Sequence, residues 1–152
     1  MIDKRVKFMK TALKQAKKAY ELAEVPIGAI IVKDDKIISK AYNKRNTSKS
    51  AIAHAEILAI EKACKKLGDW RLDGCEMYVT LEPCPMCAGA IVNSRLQKLY
   101  FGAYEKKSGS VLSNYQILFN NGLNHVVDAE GGILEKECST LLKEFFKSKR
   151  NI

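Results

Sequence analysis

Two short segments, far apart in the chain, each carry side chains that commonly bind metal ions. The first is His54-Ala55-Glu56 and the second is Pro83-Cys84-Pro85-Met86-Cys87. One histidine and two cysteines form a three-ligand set for zinc, which leaves the fourth tetrahedral position open for water. Because structural zinc sites are usually closed by four protein ligands, the pattern favours hydrolytic chemistry. A fold that uses all three ligands must bring the two segments together.

The two cysteines stand three residues apart at the expected start of a helix. Cys84 and Cys87 would therefore lie on one face and could bind one ion. A helix N-terminus also lowers the pKa of thiols and favours thiolates. The alternative is a thioredoxin-type redox pair, since Cys-Pro-x-Cys is typical of those as well. Such a pair normally follows an early strand and needs no His-x-Glu, so the central position of this pair favours zinc.

His54 and Glu56 can act at the same site only under one geometric condition. Residues two apart point to opposite faces of a continuous helix, so both can face one site only if His54 lies at the mouth of the helix. Taken alone, His54 would more often be a surface or core histidine, and Glu56 a helix N-terminal residue that complements the dipole. Beside zinc-activated water, Glu56 becomes a candidate general acid and base.

The hydrophobic pattern predicts alternating helices and strands without a repeat or a Gly/Ser linker. The predicted elements are a helix through Met9–Ala23, strands at Ile27–Val32 and Ile37–Tyr42 joined by an Asp34-Asp35 turn, a helix at His54–Leu67, a strand at Glu76–Leu81, a helix at Pro85–Ser94, a strand at Leu99–Phe101, loop and short helix over 103–123, a strand at Val126-Val127 and a helix at Leu134–Lys149. This order predicts one α/β domain over residues 1–152. We expect a three-layer α/β/α sandwich around a central five-stranded mixed sheet.

The net charge, the cysteine content and the lack of long apolar runs indicate the partner class and the cellular compartment. The net charge of +9 favours a polyanionic partner such as nucleic acid, although basic proteins have many functions. The five cysteines are an odd number, which argues against a disulfide framework. The sequence contains neither an apolar run near the roughly 20 residues that span a bilayer nor an N-terminal signal core. We therefore expect a cytoplasmic protein without a membrane partner.

The paired motifs resemble those of the zinc-dependent nucleobase deaminases, whose signature combines His-x-Glu with Pro-Cys-x-x-Cys. Further segments resemble the tRNA-specific adenosine deaminases within that superfamily. These segments are Val25–Ala29, Ala41–Asn43, Ala53–Glu56, Tyr78–Cys84, Met86–Ala90, Ser94-Arg95, Phe101–Ala103, Leu123–His125, Gly132–Leu134 and Phe145-Phe146. The similarity covers nearly the whole chain.

The resemblance implies an activity and a division of labour. Members of this family convert the wobble adenosine, position 34 of a tRNA anticodon, to inosine. It implies that His54, Cys84 and Cys87 bind one zinc ion per chain and that Glu56 shuttles protons. Activated water would attack C6 of adenine while Glu56 protonates N1, and ammonia would leave. The resemblance further implies a homodimer that binds a tRNA anticodon stem-loop.

Three residues match positions of the family that lie near the substrate. Asn43 matches an asparagine that contacts the flipped nucleotide, whereas spacing alone would favour a turn residue that ends a strand. Ile27 and Asn124 match other pocket or loop positions. All three are candidate substrate-binding residues.

The last helix combines basic and aromatic residues. Phe145, Lys147 and Arg150 are candidate RNA contacts there, with Lys143 on the same face as Lys147. The alternative is a terminal helix that packs one phenylalanine into the core and leaves its lysines in water.

One departure from the family and two other functions remain open. Val111-Leu112 stands where family members often have small residues, which bears on the loop near the substrate. A small-molecule cytosine or guanine deaminase would use the same zinc core, but the basic charge favours RNA over a free base. A zinc-bearing RNA-binding module without catalysis would not need Glu56.

Overall fold

The computed structural model describes residues 3–119 and 125–150, and for Arg150 the backbone only. Within these ranges the chain forms four helices and five strands. They are α1 (Lys4–Glu21), β1 (Gly28–Lys33), β2 (Lys36–Tyr42), α2 (Ala55–Leu67), β3 (Cys75–Leu81), α3 (Pro85–Asn93), β4 (Lys98–Ala103), β5 (Asp128–Glu130) and α4 (Glu135–Arg150). None of the helices in these ranges is long and apolar enough to span a membrane.

The five strands form one mixed sheet in the order β2-β1-β3-β4-β5. Strand β1 is antiparallel to both β2 and β3, whereas β3, β4 and β5 run parallel to one another. The parallel pair β3–β4 is joined through helix α3, which is the crossover that parallel strands require. The expected five-stranded mixed sheet is confirmed.

Alternate residues of the central strands face two separate apolar layers. Ala29 and Ile31 of β1 pack with α2 and α3, whereas Ile30 and Val32 pack with α1 and residues of α4. Strand β3 repeats the pattern, because Met77 belongs to the first layer and its neighbour Tyr78 to the second. Helices therefore cover both faces of the sheet, and the three-layer α/β/α sandwich is confirmed.

A close approach between α1 and the sheet requires glycine at position 28. A Cβ atom on Gly28 would lie 2.1 Å from the Ala12 carbonyl oxygen and 2.5 Å from the Ala16 nitrogen. Both atoms belong to the helix backbone and cannot move aside, so a larger residue would push α1 away from β1. The Val25-Pro26-Ile27 segment that enters β1 lies beside the site described below.

The sequence-based prediction of the last strand was wrong by two residues. Val127 is buried, but its backbone N–H donates to the Leu118 carbonyl 3.0 Å away in the preceding loop. The ladder with β4 begins at Asp128, which pairs with Lys98. The side chains of these two residues also form an ion pair, with 2.7 Å between Lys98 Nζ and Asp128 Oδ2. The expected short helix is also absent from residues 104–119, which form turns and bends.

One edge of the sheet collects the ends of several strands. Strands β2, β3 and β4 end there, and β1, being antiparallel, begins there. In open α/β sheets, ligands bind beyond the carboxyl ends of the strands. The chain segments that carry both metal-binding motifs follow β2 and β3 at this edge.

Candidate metal centre and substrate cavity

Two helix N-termini meet at this edge and present the ligand side chains. His54 is the N-cap of α2 and Cys84 is the N-cap of α3, each with an extended backbone. Neither side chain makes the capping hydrogen bond that Ser, Thr, Asp or Asn would make at such a position. His54 thus lies at the mouth of its helix, as the His-x-Glu spacing required. Pro85 follows at the first position of α3, where its missing N–H has no cost.

The three candidate ligand atoms lie at separations that suit a tetrahedral metal ion. His54 Nδ1 is 3.8 Å from Cys84 Sγ and 3.5 Å from Cys87 Sγ, and all three atoms lie within 4.8 Å of one another. Bond lengths of about 2.0 Å to nitrogen and 2.3 Å to sulfur at tetrahedral angles give separations of about 3.6 Å. The His/Cys/Cys group can therefore hold a metal ion, and its geometry fits zinc.

The two cysteine thiols shift each other's pKa through the hydrogen bond between them. A hydrogen bond from Cys87 lowers the pKa of Cys84 to about 4, and the same bond, together with burial, raises the pKa of Cys87. The His54 pKa is raised, first by its hydrogen bond to Cys84. Cys84 also lies at the N-terminus of α3, whose positive dipole end favours a thiolate.

Glu56 lies in the first turn of α2, beside the ligand group and beneath the protein surface. Its side chain is 4% exposed, and burial raises its pKa to about 7. Among the charges that act on it, His54 lowers the pKa and Cys84 raises it. A carboxyl group with a pKa near neutrality can both accept and donate a proton, which general acid/base work requires.

A cavity of about 350 Å³ opens above this group. Its wall comes from six parts of the chain: the segment before β1, the segment after β2, the start of α2, the end of β3, the end of β4 with the following loop, and one face of α4. The lining residues are Val25, Ile27, Asn43, Arg45, His54, Ala55, Leu81, Ala103, Tyr104, Glu105, Ser139, Leu142, Lys143 and Phe146. Its volume is in the range of small-molecule and cofactor pockets. Because His54 is part of this lining, a ligand in the cavity can reach the metal-binding group.

Asn43 and Ile27 both line the cavity, and Asn43 has structural bonds as well. The Asn43 side chain donates to the Val25 carbonyl at 3.2 Å and accepts from the Arg45 backbone N–H at 3.2 Å. An asparagine amide has two donor hydrogens and an acceptor oxygen with two lone pairs. One hydrogen and one lone pair therefore remain for a ligand, so the turn role and the ligand role are compatible.

The loop after β2 is fastened by a buried carboxylate at the end of α1. Glu24 accepts hydrogen bonds from the backbone N–H groups of Asn46 at 3.1 Å and Thr47 at 2.6 Å. Burial raises the pKa of Glu24, but these bonds outweigh burial and the pKa is lowered. The fastened loop holds Arg45 at the cavity wall.

A second buried carboxylate organises the loop after β4. Glu82, which is 2% exposed, accepts from the backbone N–H groups of Glu105, Val111, Leu112 and Ser113 at 2.8 to 3.2 Å and from the Ser113 hydroxyl. Burial raises the pKa of Glu82, but the hydrogen bonds outweigh burial and the pKa is lowered. The Val111-Leu112 departure leaves this cradle intact, because both residues contribute backbone groups.

Glycine is required inside the Glu82 cradle. A Cβ atom on Gly109 would lie 2.3 Å from the Glu105 carbonyl oxygen and 2.5 Å from Glu82 Oε1. Any larger residue would force the carboxylate or the loop to shift. The loop backbone at Gly109 therefore packs too closely against the Glu82 carboxylate to accommodate a side chain.

Helix α4 places the two neighbouring phenylalanines in different environments. Phe145 is 5% exposed and packs edge-on against Tyr20, whereas Phe146 is 45% exposed and lines the cavity. Lys143 lines the cavity beside Phe146, and Lys147 is exposed one turn further along the helix. Of the residues expected to touch RNA, Asn124 and the side chain of Arg150 lie outside the described residues.

Several residues at the cavity did not emerge from the sequence. Arg45, Tyr104, Ser139 and Leu142 line it, and Glu24 and Glu82 support it from below. Only Glu82 carried a signal, since it directly precedes Pro83-Cys84. The others come from segments without a motif, and only the fold brings them together.

Comparison with protein families matches one family model over almost the entire chain. Residues 3–150 match the model of the MafB19-like deaminases. The tRNA-specific adenosine deaminase of Bacillus subtilis is 50% identical over 143 residues, which are 94% of this chain and 89% of the relative. That of Aquifex aeolicus is 54% identical over 144 residues, 95% of both chains.

Two solved structures place the fold in the same context. A structure from a study of A-to-I editing by tRNA A34 deaminases at the wobble position aligns with a TM-score of 0.87 at 42% identity, covering 90% of this chain and 99% of that one. The guanine deaminase of Nitrosomonas europaea aligns with a TM-score of 0.75 at 25% identity, covering 92% of this chain and 83% of that one. The likeness to the first structure is greater by both measures.

Proposed function

Because this chain belongs to the family of tRNA-specific adenosine deaminases, we propose that it deaminates adenosine to inosine at the wobble position of a tRNA anticodon. The net reaction consumes water and releases ammonia. The observation that carries the proposal is the buried carboxylate of Glu56 beside a His/Cys/Cys group whose histidine lines an open cavity.

We propose that the resident metal is one zinc ion per chain, held by His54, Cys84 and Cys87. The separations of the three donor atoms and the chemistry of one imidazole and two thiols support this assignment. When bound, zinc supplies a strongly acidified water molecule as the nucleophile. Both helix N-termini favour the negative charge that the ligand thiolates bring.

The proposed role of Glu56 is to move protons between water and adenine. Its carboxylate takes a proton from the nucleophile, delivers one to N1 of adenine, and returns one to the departing amino group at C6. Burial excludes bulk water from this carboxylate, which keeps the proton transfers within the site. Asn43 and Ile27, at the cavity wall, are the proposed contacts to the flipped nucleotide.

The rim of the cavity favours a base carried on RNA over a free base. Arg45 and Lys143 place positive charge at its wall, and the exposed ring of Phe146 offers a surface for stacking. The wobble base must leave the anticodon stack at a cost of about a few kcal/mol, which contacts to neighbouring nucleotides offset. We extend the RNA contacts to Lys147 and Arg150, while Phe145, buried against Tyr20, supports the helix that carries them. Asn124 remains a proposed loop contact.

We propose that the protein is a cytoplasmic homodimer. Large apolar side chains exposed on the single chain support a second copy as the partner. They include Ile52, Trp70, Leu112, Tyr115 and Val126. Sedimentation equilibrium of the purified protein should give twice the 17.0 kDa mass of the chain; a mass of one chain at micromolar concentration would contradict the dimer.

The proposed reaction can be tested on an anticodon stem-loop with adenosine at the wobble position. Inosine is read as guanosine after reverse transcription, and further adenosines in the loop serve as internal controls. Free guanine and free cytosine are assayed in parallel by ammonia release. We expect inosine at the wobble position alone. Ammonia from a free base without inosine in the RNA would contradict the proposed substrate.

The zinc assignment has its own test in metal content. The parent protein should contain one zinc ion per chain by mass spectrometry, and Cys87→Ser should lose it. Cys64→Ser is the matched control, because Cys64 bonds to the Trp70 carbonyl and lies outside the ligand group. Retention of zinc in Cys87→Ser would contradict the assignment.

A further inference from the structure

A second concave surface lies between α1 and α4, away from the proposed reaction. It is an open groove of about 710 Å³. Its apolar lining consists of Leu13, Leu134 and Leu141, and its basic lining consists of Lys10, Lys14, Lys17 and Lys136. Thr140 and two acidic residues of α4, Glu137 and Glu144, complete it. We call this surface the lysine groove.

None of the four lysines of the lysine groove forms an ion pair within residues 3–119 and 125–150. Lys10, Lys14 and Lys17 follow one another by four and three residues, which places them on one face of α1. All three are exposed, and none of them lies within ion-pair distance of a carboxylate in the part of the chain that the structure describes. Lys7 continues the same face by one further turn. A row of free ammonium groups is a binding surface for phosphates.

Helix α4 separates the lysine groove from the substrate cavity. Ser139, Lys143 and Phe146 of this helix line the cavity, whereas Lys136 and Thr140 line the groove. An α-helix with its side chains is about 10 to 12 Å thick. A polyanion that occupies the cavity therefore has to cross only one helix to reach the groove.

We propose that the lysine groove binds backbone phosphates of the tRNA whose anticodon loop occupies the cavity. The identity of the RNA rests on the proposed function; the contact itself rests on the unpaired lysines and their position across α4. Four lysines against two glutamates leave the lining basic. Contacts of this kind carry no sequence information, so they strengthen binding to every tRNA and leave the choice of base to the cavity.

The test removes three charges from the groove and none from the cavity. The groove variant is Lys10→Gln/Lys14→Gln/Lys17→Gln, and the matched control is Lys36→Gln/Lys65→Gln/Lys66→Gln. The control changes net charge by the same amount at exposed lysines that line neither the groove nor the cavity. Binding of an unmodified tRNA is measured by fluorescence anisotropy at several salt concentrations, alongside inosine formation at saturating RNA.

We expect the Kd of the groove variant for tRNA to rise at least about tenfold over the control, because three phosphate contacts are lost. The slope of log Kd against log salt should fall by about 2 to 3, since each contact contributes about 0.7 to 0.9. The rate of inosine formation at saturation should stay within about twofold of the parent, which distinguishes lost binding from a damaged site.

Equal Kd and equal slope in the groove and control variants would overturn the proposal. A groove variant that keeps its tRNA affinity but loses binding to vesicles of anionic phospholipid would assign the surface to a membrane and overturn it too. The binding measurement does not depend on turnover. A parent protein that binds tRNA but makes no inosine would therefore contradict the proposed function while leaving the groove under test.

Discussion

The floor and the rim of the cavity are built in different ways. By the floor we mean His54, which lines the cavity, together with Glu56, Cys84 and Cys87 beside it. All four are carried by the first turns of two helices that pack on the sheet. The rim consists of two loops and one face of α4, and each loop is held by a single buried carboxylate. A rigid floor suits chemistry that needs fixed distances, whereas a rim of loops can follow the shape of a large substrate.

The two rim loops differ in how firmly they are held. Glu24 accepts two backbone hydrogen bonds from the loop after β2, whereas Glu82 accepts four from the loop after β4 and one more from a hydroxyl. The first loop is also fastened by the Asn43 side chain, which joins the start of the loop at Arg45 to Val25 in the segment before β1. The carboxylate anchor of the loop after β4 therefore accepts more hydrogen bonds than the anchor of the loop after β2.

The largest expected effect is on kcat, from a substitution of Glu56 in the floor. Glu56→Gln should lower kcat for inosine formation by about 10²- to 10⁴-fold, because proton transfer by a positioned carboxylate is lost. Zinc content and tRNA affinity should match the parent. Glu61→Gln, an exposed glutamate on the same helix, is the control and should keep full activity. A Glu56→Gln enzyme that turns over like Glu61→Gln would contradict the proton-shuttle role.

The sequence predicted the floor and most of the fold for a physical reason. Metal-binding side chains and helix N-termini follow strict local rules, so spacing and family resemblance proposed His54, Cys84 and Cys87 as ligands, and the structure brings the three side chains together. Short apolar runs bounded by turn residues likewise predicted the first four strands. The last strand was misplaced because Asp128–Glu130 is polar, while the buried Val127 bonds to a loop.

Family resemblance indicated Asn43 and Ile27, which line the cavity, but most of the rim could not be predicted, because it depends on contacts between distant segments. Nothing in the local sequence indicates that Glu24 bonds to residues 46 and 47, more than twenty positions away. The choice between Phe145 and Phe146 also required the fold, since both follow the same helical pattern. Only the packing of α4 determines which ring is buried against Tyr20 and which faces the cavity.

The next largest effects are expected at Phe145 and Phe146. They distinguish a residue that stabilises the fold from a residue that contacts RNA. Phe145→Ala should lower the free energy of unfolding by about 3 to 5 kcal/mol, because a buried ring leaves a cavity. Phe146→Ala should leave stability within about 1 kcal/mol of the parent, since its ring is exposed, and should raise the KM for tRNA by about tenfold through lost stacking. Urea unfolding and steady-state kinetics on both variants check this.

The reverse pattern would contradict the assignment of the two rings. A stable Phe145→Ala protein with a raised KM, together with an unstable Phe146→Ala protein, would return the RNA contact to Phe145.

The two carboxylate anchors should differ in stability cost. Glu82→Gln should lower the free energy of unfolding by about 2 to 4 kcal/mol, because a buried charged acceptor with several donors is lost. Glu24→Gln should cost about half as much, since only two donors lose their partner. Urea unfolding of both variants measures the difference. A Glu24→Gln protein less stable than Glu82→Gln would contradict the comparison of the two loops.

Acid should remove the stabilisation that Glu24 and Glu82 provide. The pKa values of Glu24 and Glu82 are lowered from 4.5 in the folded protein. Their stabilisation is therefore fully present above pH 4.5 and is lost as the pH falls through the folded values. The parent should lose more stability than Glu82→Gln between pH 6 and about 3.5, measured by urea unfolding at each pH. Metal release in acid affects both proteins and cancels in the difference; parallel pH curves would contradict the prediction.

Removal of the metal tests the separation of floor and rim most directly. The purified protein is stripped with a chelator, and zinc is returned in steps while inosine formation and tRNA affinity are both measured. We predict that activity rises in proportion to bound zinc and saturates at one ion per chain, whereas the Kd for tRNA stays within about twofold throughout. Inosine formation at the parent rate without metal, or tRNA affinity that rises and falls with zinc, would contradict the account.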